Sequence, residues 1–197
     1  MNDESDTSAE VRSQLDELSA LVDTVSRELS GEISLVAHRC LETLRSGGKL
    51  LFCGNGGSAA DAQHLAAEYV VRFTRARRPL PALALTTDAS VLTAAGNDFG
   101  FASVFARQVE ALARPGDLLV LHSTSGESEN LLAAADCARN MGVSTVALLA
   151  KGGGRLRGRV DLALVVPTDV PARAQEVHMA IGHMVCEAVD RAFGEAG

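Results

Sequence analysis

The N-terminal quarter of the chain carries apolar residues at helical spacing. Between residues 11 and 29 they recur every three or four positions, and after Gly31 the same spacing resumes from residue 33 to residue 44. The apolar positions of the first stretch are Val11, Leu15, Leu18, Val22, Val25 and Leu29. Because no strand precedes these two helices, the pattern predicts an N-terminal helical arm over residues 1–46 that packs on a partner subunit.

The period changes after Gly47 and Gly48. Short continuous apolar runs, typical of strands buried on both faces, now alternate with stretches of helical spacing. The predicted strands are 49–53, 82–85, 118–121, 144–149 and 162–166, and the predicted helices are 58–73, 87–95, 103–113, 128–141 and 172–193. This alternation predicts an α/β fold over residues 47–197, a three-layer α/β/α sandwich with a five-stranded parallel sheet.

Composition and charge exclude several classes of protein. Of the 197 residues, 47% are apolar and 22% are charged, which excludes a disordered chain. The net charge of −7 lacks the basic footprint of a nucleic-acid-binding domain, so we expect no nucleic-acid partner. The longest apolar runs are too short to span a membrane, and the polar, acidic first ten residues do not resemble a signal peptide.

The cysteines indicate a reducing compartment. Cys40, Cys53, Cys137 and Cys186 are widely spaced and form no CxxC motif. We therefore expect small buried side chains in a cytoplasmic protein rather than disulfides or a cysteine metal site.

The loop after the first predicted strand, residues 54–58, is rich in glycine. Glycine lets a ligand approach the backbone closely, and Ser58 can cap the helix that follows. An ordinary tight turn explains the same residues, and the spacing is not that of a dinucleotide-binding motif. Ligands of parallel sheets bind beyond the carboxyl ends of the strands, so this loop is one candidate site.

The loop after the third predicted strand is rich in hydroxyl groups. Ser123, Thr124, Ser125 and Ser128 lie within six residues at the start of a predicted helix. Hydroxyls and free amides at a helix N-terminus suit a phosphate, whose charge the helix dipole also favours. A serine-rich cap without a ligand is the alternative, but capping needs fewer hydroxyls. The charge of Glu127 would repel a phosphate unless it points to solvent.

Two predicted helices carry residues suited to catalysis or metal binding. His64 and Glu68 are four residues apart on one helical face, so both can reach one metal ion or one substrate. The last helix carries Gln175, His178 and His183, with Gln175 and His183 two turns apart on roughly one side. Taken singly, each set fits a surface ion pair or core-edge polar residues. Together they supply a carboxylate, an imidazole acid and a possible metal site.

Other polar stretches have simpler interpretations. Asp88, and Asn97 with Asp98, are interpreted first as helix caps. A run of arginines between residues 72 and 78 is interpreted as a solvated face, with phosphate attraction as the alternative. These arginines are Arg72, Arg75, Arg77 and Arg78.

Five motifs resemble those of the phosphoheptose isomerases, which belong to the sugar isomerase domain superfamily. They are GNGGSAADAQHLAAE (54–68), ALTTDASVLTAAGNDFG (84–100), VFARQVEAL (104–112), STSGES (123–128) and QEVHMAIGHMVCE (175–187). The resemblance covers residues 30–193 in the same order. It implies the sugar isomerase domain fold and interconversion of sedoheptulose 7-phosphate and D-glycero-D-manno-heptose 7-phosphate. It also implies a homotetramer with active sites between subunits and, in some members, a zinc ion.

The resemblance also assigns roles to residues of this chain. The positions that match the metal and catalytic set are His64, Glu68, Gln175 and His183. The positions that match substrate contacts are Asn55, Gly56, Gly57, Ser58, Glu68, Asn97, Asp98 and Gln175, with Ser123, Thr124, Ser125 and Ser128 in the phosphate loop.

An aldose–ketose isomerisation moves a proton between adjacent carbons through an enediol, so it needs a base and an acid. Glu68 is the predicted base and His183 the predicted acid, and a zinc ion on the four matched ligands could polarise the substrate oxygens. A metal-bound carboxylate is not freely basic, which leaves partial metal binding or a change of role open. The chain departs from the family at Ala172, where some relatives have an acid, and at Glu127, commonly Asn.

Two alternatives stay open. The first is a non-catalytic regulatory paralogue on the same fold that binds a protein partner. In a relative that binds the bacterial replication initiator, the positions matching Glu68 and His183 are not Glu and His, so the presence of both favours catalysis here. The second is a different sugar phosphate, although amino-sugar members often carry an extra domain for which 197 residues leave no room.

Overall fold

The computed structural model describes residues 3–194 of the chain, with side chains from residue 7 onward. The helices are α1 (Asp3–Glu28), α2 (Ser30–Arg45), α3 (Gly57–Val70), α4 (Ala89–Phe99), α5 (Ala106–Leu112), α6 (Glu129–Asn140) and α7 (Pro171–Phe193). The strands are β1 (Leu50–Gly54), β2 (Ala82–Ala84), β3 (Leu118–Ser123), β4 (Ser144–Leu149) and β5 (Leu162–Val165). Every predicted strand is confirmed, and the element boundaries shift by a few residues.

The strands form one parallel sheet in the order β2-β1-β3-β4-β5. This is a doubly wound arrangement, in which the chain runs outward in one direction from β1 and in the other from β3. The predicted α/β fold with a five-stranded parallel sheet is therefore confirmed. The neighbouring ends of β1 and β3, where Gly54 pairs with His122, mark the point at which the strand order reverses. A ligand crevice is expected there.

Alternate strand residues enter two separate cores because successive side chains point to opposite faces of a sheet. Leu50 and Phe52 of β1 face a core shared with α2, α3 and α7. Leu51 and Cys53 face a second core shared with α5 and α6. The sheet is thus covered on both sides, as the continuous apolar character of its strands predicts.

The two N-terminal helices behave differently. Helix α2 buries Val36, Cys40 and Leu44 in the core of this chain, against the sheet and α7. It therefore belongs to the sandwich, which corrects the prediction that all of residues 1–46 packs on a partner. The apolar stripe of α2 is buried because it packs against α7 and the sheet of the same chain. Helix α1 buries only part of its apolar stripe, so a partner for α1 stays a prediction.

Helix α1 presents the rest of that stripe to solvent. Leu21 and Val25 are buried, whereas Val11, Leu15 and Val22 are 52%, 61% and 42% exposed. Among the described helices, none is both long enough and apolar enough to cross a membrane.

A buried ion pair ties the segment after α3 to α7. The Arg77 Nε atom donates to Asp190 Oδ1 at 2.6 Å, and both side chains are about 1% exposed. Asp190 Oδ2 also accepts from the backbone N–H groups of Thr74 and Arg75, at 2.7 and 2.9 Å. The interpretation of this arginine run as a solvated face is therefore wrong for Arg77. Each of its three guanidinium nitrogens donates a hydrogen bond, which is what allows the charge to be buried.

The same guanidinium caps the end of α3. Its Nη1 and Nη2 atoms donate to the carbonyl oxygens of Tyr69 and Glu68, at 2.9 and 2.6 Å. Carbonyl groups in the last turn of a helix lack intrahelical partners, and a cation there also complements the helix dipole. Arg77 therefore holds the backbone of Glu68 in place through an anchor on α7.

Asp190→Asn should lower the free energy of unfolding by about 3–5 kcal/mol, because the change leaves the buried Arg77 charge without a counter-ion. Urea unfolding at pH 7 measures the loss. Arg191→Gln is the matched control, since it breaks an exposed ion pair on the same helix and should cost about 0–1 kcal/mol. Equal losses in the two variants would contradict this assignment.

The contribution of Asp190 also depends on pH. Burial alone would raise the pKa of this carboxyl, but hydrogen bonds from Arg75, Arg77 and Thr74, with the charge of Arg77, hold it below its ordinary value. The stabilisation is therefore present above an aspartate's usual pKa of about 3.9 and is lost as the pH falls through the lower pKa of the folded state.

Candidate functional site

The glycine loop after β1 turns tightly into α3. Gly56 has a φ of 57°, in the region that favours glycine, and a Cβ atom on Gly54 would lie 2.5 Å from the carbonyl oxygen of Ser58. Helix α3 begins at Gly57 with Gly56 as its N-cap, so Ser58 does not cap the helix as predicted. Ser58 lies buried in the first turn, whereas Gly56 and Gly57 are exposed at the end of the strand.

An amide pair joins this loop to the start of α6. Asn55 Nδ2 donates to Asn130 Oδ1 at 2.9 Å, and Asn130 Nδ2 donates back to Asn55 Oδ1 at 2.8 Å. The two candidate loops are therefore held together across the point where the strand order reverses. Asn130 was not predicted as a site residue. A buried asparagine two residues after the hydroxyl loop is the signal that could have indicated it.

The loop after β3 is organised by its own hydroxyl groups. Ser123 Oγ accepts from the Gly126 N–H at 3.0 Å, and Ser125 Oγ accepts from the Glu127 N–H at 3.2 Å. Gly126 has a φ of 67°. Ser128 is the N-cap residue of α6, and within residues 7–194 no side-chain bond caps this helix. The loop and the first amides of α6 thus form a cradle suited to an anion.

The Glu127 side chain is paired with a cation. Its carboxylate accepts from Arg155, on the connection after β4, with an Nε–Oε2 distance of 2.6 Å. Hydrogen bonds from the Arg155 side chain and backbone hold the pKa of Glu127 below its usual range. The repulsion that this departure from the family pattern would cause is therefore opposed by a paired guanidinium, whose role the sequence did not indicate.

Helices α3 and α7 bring three of the predicted catalytic side chains together. The Nε2 atoms of His64 and His183 lie 2.9 Å apart, so one of them donates and the other accepts. His64 Nε2 also lies 3.4 Å from Glu68 Oε1. The ring of Phe73 stacks on His183 with a centroid distance of 5.3 Å and limits its orientation. Two imidazoles and a carboxylate thus meet at one half-exposed position.

The fourth predicted ligand lies nearer the glycine loop. A Cβ atom on Gly57 would lie 2.7–2.9 Å from the amide atoms of Gln175, so glycine at this position makes room for that side chain. In the described part of the chain, no group of three or more His, Cys, Asp or Glu residues is arranged as a ready-made metal site. The four predicted ligands therefore lie on α3 and α7, and His64 is the one that contacts both Glu68 and His183.

Asn97 and Asp98 lie apart from these groups. Both are exposed on α4, where Asn97 Nδ2 donates to Asp98 Oδ1 at 2.7 Å. They are inside the helix, so their interpretation as caps is wrong. Asp88 does cap α4, because its carboxylate accepts from the Val91 N–H at 3.0 Å. The hydrogen bonds given for residues 7–194 do not connect Asn97 or Asp98 to either loop.

Two further histidines are buried in the core rather than in the site. His178 is wholly buried, its Nε2 atom lies 3.0 Å from the Leu149 carbonyl oxygen, and burial lowers its pKa. His122 comes directly before the hydroxyl loop, and its ring packs against Phe52 and His178 on the face of the sheet covered by α2, α3 and α7. Burial together with His178 lowers its pKa to about 3. Both rings are neutral at pH 7, and His178 is a core residue.

Comparison with known proteins places the chain in a family. The SIS domain model matches residues 14–150, including most of both N-terminal helices. A phosphoheptose isomerase from Roseiflexus sp. is 54% identical over 92% of this chain and 93% of that protein. The structure of a phosphoheptose isomerase from Francisella tularensis superimposes with a TM-score of 0.91 at 36% identity, covering 94% of this chain and 98% of that one.

A second solved structure agrees. The phosphoheptose isomerase from Neisseria gonorrhoeae gives a TM-score of 0.88 at 40% identity and covers 94% of this chain and 99% of that one. The sequence motifs, the sheet order and these matches lead to one conclusion: the chain belongs to the SIS domain family and, within it, to the phosphoheptose isomerases.

Proposed function

We propose that this chain converts D-sedoheptulose 7-phosphate to D-glycero-D-manno-heptose 7-phosphate, the first step of heptose nucleotide biosynthesis. The observation that carries the proposal is the meeting of His64, Glu68 and His183 between α3 and α7. The similarity to phosphoheptose isomerases supports the substrate and the reaction class. A cytoplasmic location, which the cysteine pattern favours, belongs to the same proposal.

The reaction needs one base and one acid on neighbouring atoms. A proton leaves C1 of the ketose, an enediol forms, and a proton is delivered to C2 while protons move on the two oxygens. Glu68 is the proposed base at carbon, since a carboxylate can remove a proton from C1, exchange it with solvent and deliver a proton to C2. His183 is the proposed acid at oxygen. Its contact with His64 and the stacked Phe73 ring orient the imidazole.

The phosphate of the substrate would bind at the hydroxyl loop. Ser123, Thr124, Ser125 and Ser128 supply hydroxyls, and the first amides of α6 supply donors aligned with the helix dipole. The carbon chain of the sugar would lie between the two loops, along Asn55, Gly56, Gly57 and Gln175. The buried Ser58 supports the glycine turn from the protein side. The Asn55–Asn130 pair would keep the two ends of the site at a constant separation.

A zinc ion is the proposed cofactor, held by His64, Glu68, Gln175 and His183. Zinc takes nitrogen and oxygen ligands at about 2.0–2.2 Å, so its neighbouring donors lie about 3.4 Å apart. The His64–Glu68 and His64–His183 distances of 3.4 and 2.9 Å are close to that requirement. When bound, zinc would polarise the carbonyl and hydroxyl oxygens of the sugar. These two distances support the imidazoles and the carboxylate as ligands, although within residues 7–194 no three His, Cys, Asp or Glu side chains are already arranged around one metal position.

Glu68→Gln should lower kcat about 10²–10⁴-fold, because the amide cannot accept the proton from carbon. The measurement is NMR of sedoheptulose 7-phosphate in deuterated buffer, where wild type should form the aldose with solvent deuterium at C2. Glu42→Gln is the control, since Glu42 belongs to a similar exposed His–Glu pair. Unchanged turnover in Glu68→Gln would overturn the mechanism. No turnover by folded wild type, with or without zinc, would favour the regulatory alternative or a different sugar phosphate as substrate.

His64→Ala should lose most of the zinc that wild type retains after chelation, resupply and dialysis, measured by elemental analysis. His38→Ala is matched, because His38 lies 3.2 Å from Glu42 in the same i, i+4 arrangement, with both side chains largely exposed. It should keep wild-type zinc content. Equal zinc content in the two variants would contradict the proposed ligand set. The same measurement on Glu68→Gln separates a lost ligand from a lost base.

We also propose a homotetramer with active sites between subunits. The exposed apolar side chains of Val11, Leu15 and Val22 support an interface along α1, since a contiguous apolar stripe is costly to leave in water. Asn97 and Asp98 are exposed in the single chain, which suits residues that reach the site of a neighbouring subunit. A tetramer would thus account for the exposed apolar stripe of α1 and for the exposed Asn97 and Asp98.

Leu15→Asp should shift the mass measured by light scattering from four times 20.6 kDa toward smaller species, because a buried carboxylate would lack a partner. Ser13→Asp lies on the opposite side of α1 and should leave the mass unchanged. A wild-type mass of 20.6 kDa would overturn the shared-site proposal.

A further inference from the structure

The connection after β4 is folded onto the proposed phosphate loop. A Cβ atom on Gly126 would lie 1.9 Å from the Gly153 carbonyl oxygen, and one on Gly154 would lie 2.4 Å from the Ser125 carbonyl oxygen. The Leu156 N–H donates to the Gly126 carbonyl oxygen at 3.0 Å. The two backbones therefore touch, and glycine is required on both sides of the contact.

Arg155 forms the polar part of this contact. Its backbone N–H donates to Glu127 Oε1 at 2.9 Å and its Nε to Glu127 Oε2 at 2.6 Å. Its Nη2 atom donates to the Glu127 carbonyl oxygen at 3.1 Å and to Glu129 Oε1 at 2.6 Å. One residue thus binds the side chain and backbone of Glu127 and the first residue of α6. This is a network of charge-assisted bonds rather than a single pair.

The network has two consequences for an anion in the loop. It pairs the Glu127 carboxylate, which lies in the loop, with the positive charge of Arg155. It also binds Glu127 and Glu129, the residues before and after Ser128, where the loop ends and α6 begins. Exposed ion pairs contribute little to global stability, so the effect of Arg155 should appear in the loop's geometry and charge rather than in overall unfolding.

We propose that Arg155 is a positioning residue for phosphate binding, which acts through Glu127 to hold the loop from Ser123 to Ser128 in its binding conformation. The proposal rests on the proposed function of that loop. It assigns to this chain a coupled pair, in which the acid at position 127 is tolerated because Arg155 neutralises and fixes it.

Arg155→Ala should raise KM for sedoheptulose 7-phosphate, and Kd for inorganic phosphate by calorimetry, about tenfold. The value of kcat should change less than about threefold, since Arg155 lies away from the acid and base. Arg155→Lys should restore part of the loss. Arg159→Ala is the matched control, because Arg159 pairs with Asp136 between the same connection and α6, and its KM should match wild type.

The partner variant tests whether Arg155 acts through Glu127. In a Glu127→Asn background, Arg155→Ala should raise KM less than about threefold, because the carboxylate that needs neutralising is gone. An equal tenfold effect in both backgrounds would overturn the proposal, as would an unchanged KM and Kd in Arg155→Ala. Failure of the proposed function looks different: wild type would not turn over the sugar phosphate, while phosphate calorimetry would still report on the loop.

Discussion

The close approach of α3 and α7 is the contact on which the geometry of the proposed catalytic residues depends. A Cβ atom on Gly182 would lie 2.6 Å from Leu65 Cδ2, so a larger residue at position 182 would have to displace the buried Leu65 side chain. Leu65 follows His64 and Gly182 precedes His183. The packing of Leu65 on Gly182 thus lies next in sequence to both imidazoles, whose Nε2 atoms are 2.9 Å apart.

The ion pair of Arg77 and Asp190 acts on the same two helices from their other end. It binds the last carbonyl groups of α3 to a carboxylate on α7, with both charges buried. Van der Waals contact at Gly182 limits how closely the two helices approach each other, and the buried ion pair at Asp190, about two turns further along α7, limits their sliding. Glu68 follows Leu65 by three residues and its carbonyl oxygen is held by Arg77, which suits the proposed base, whose carboxylate would have to approach a particular carbon atom.

The sequence predicted what repeats locally and missed what joins distant segments. Short apolar runs predicted all five strands, and the i, i+4 spacing of His64 and Glu68 predicted a shared face. The bonds of Asn130 to Asn55 and of Arg77 to Asp190 were missed because they span 75 and 113 residues. The local sequence around one partner does not indicate the other. The packing of α2 was predicted wrongly for the same reason, since an apolar stripe does not indicate whether it is covered by the same chain or by a partner.

Binding of a phosphorylated sugar by a chain of net charge −7 needs a local explanation. Distant carboxylates are screened over about 8–10 Å at physiological salt, so only acids beside the loop matter much. Glu127 and Glu129 are those acids, and both are hydrogen-bonded to Arg155. The neutral amides and hydroxyls of the cradle then act without an adjacent unpaired negative charge. Local pairing, rather than the sign of the whole molecule, makes an anion site compatible with an acidic surface.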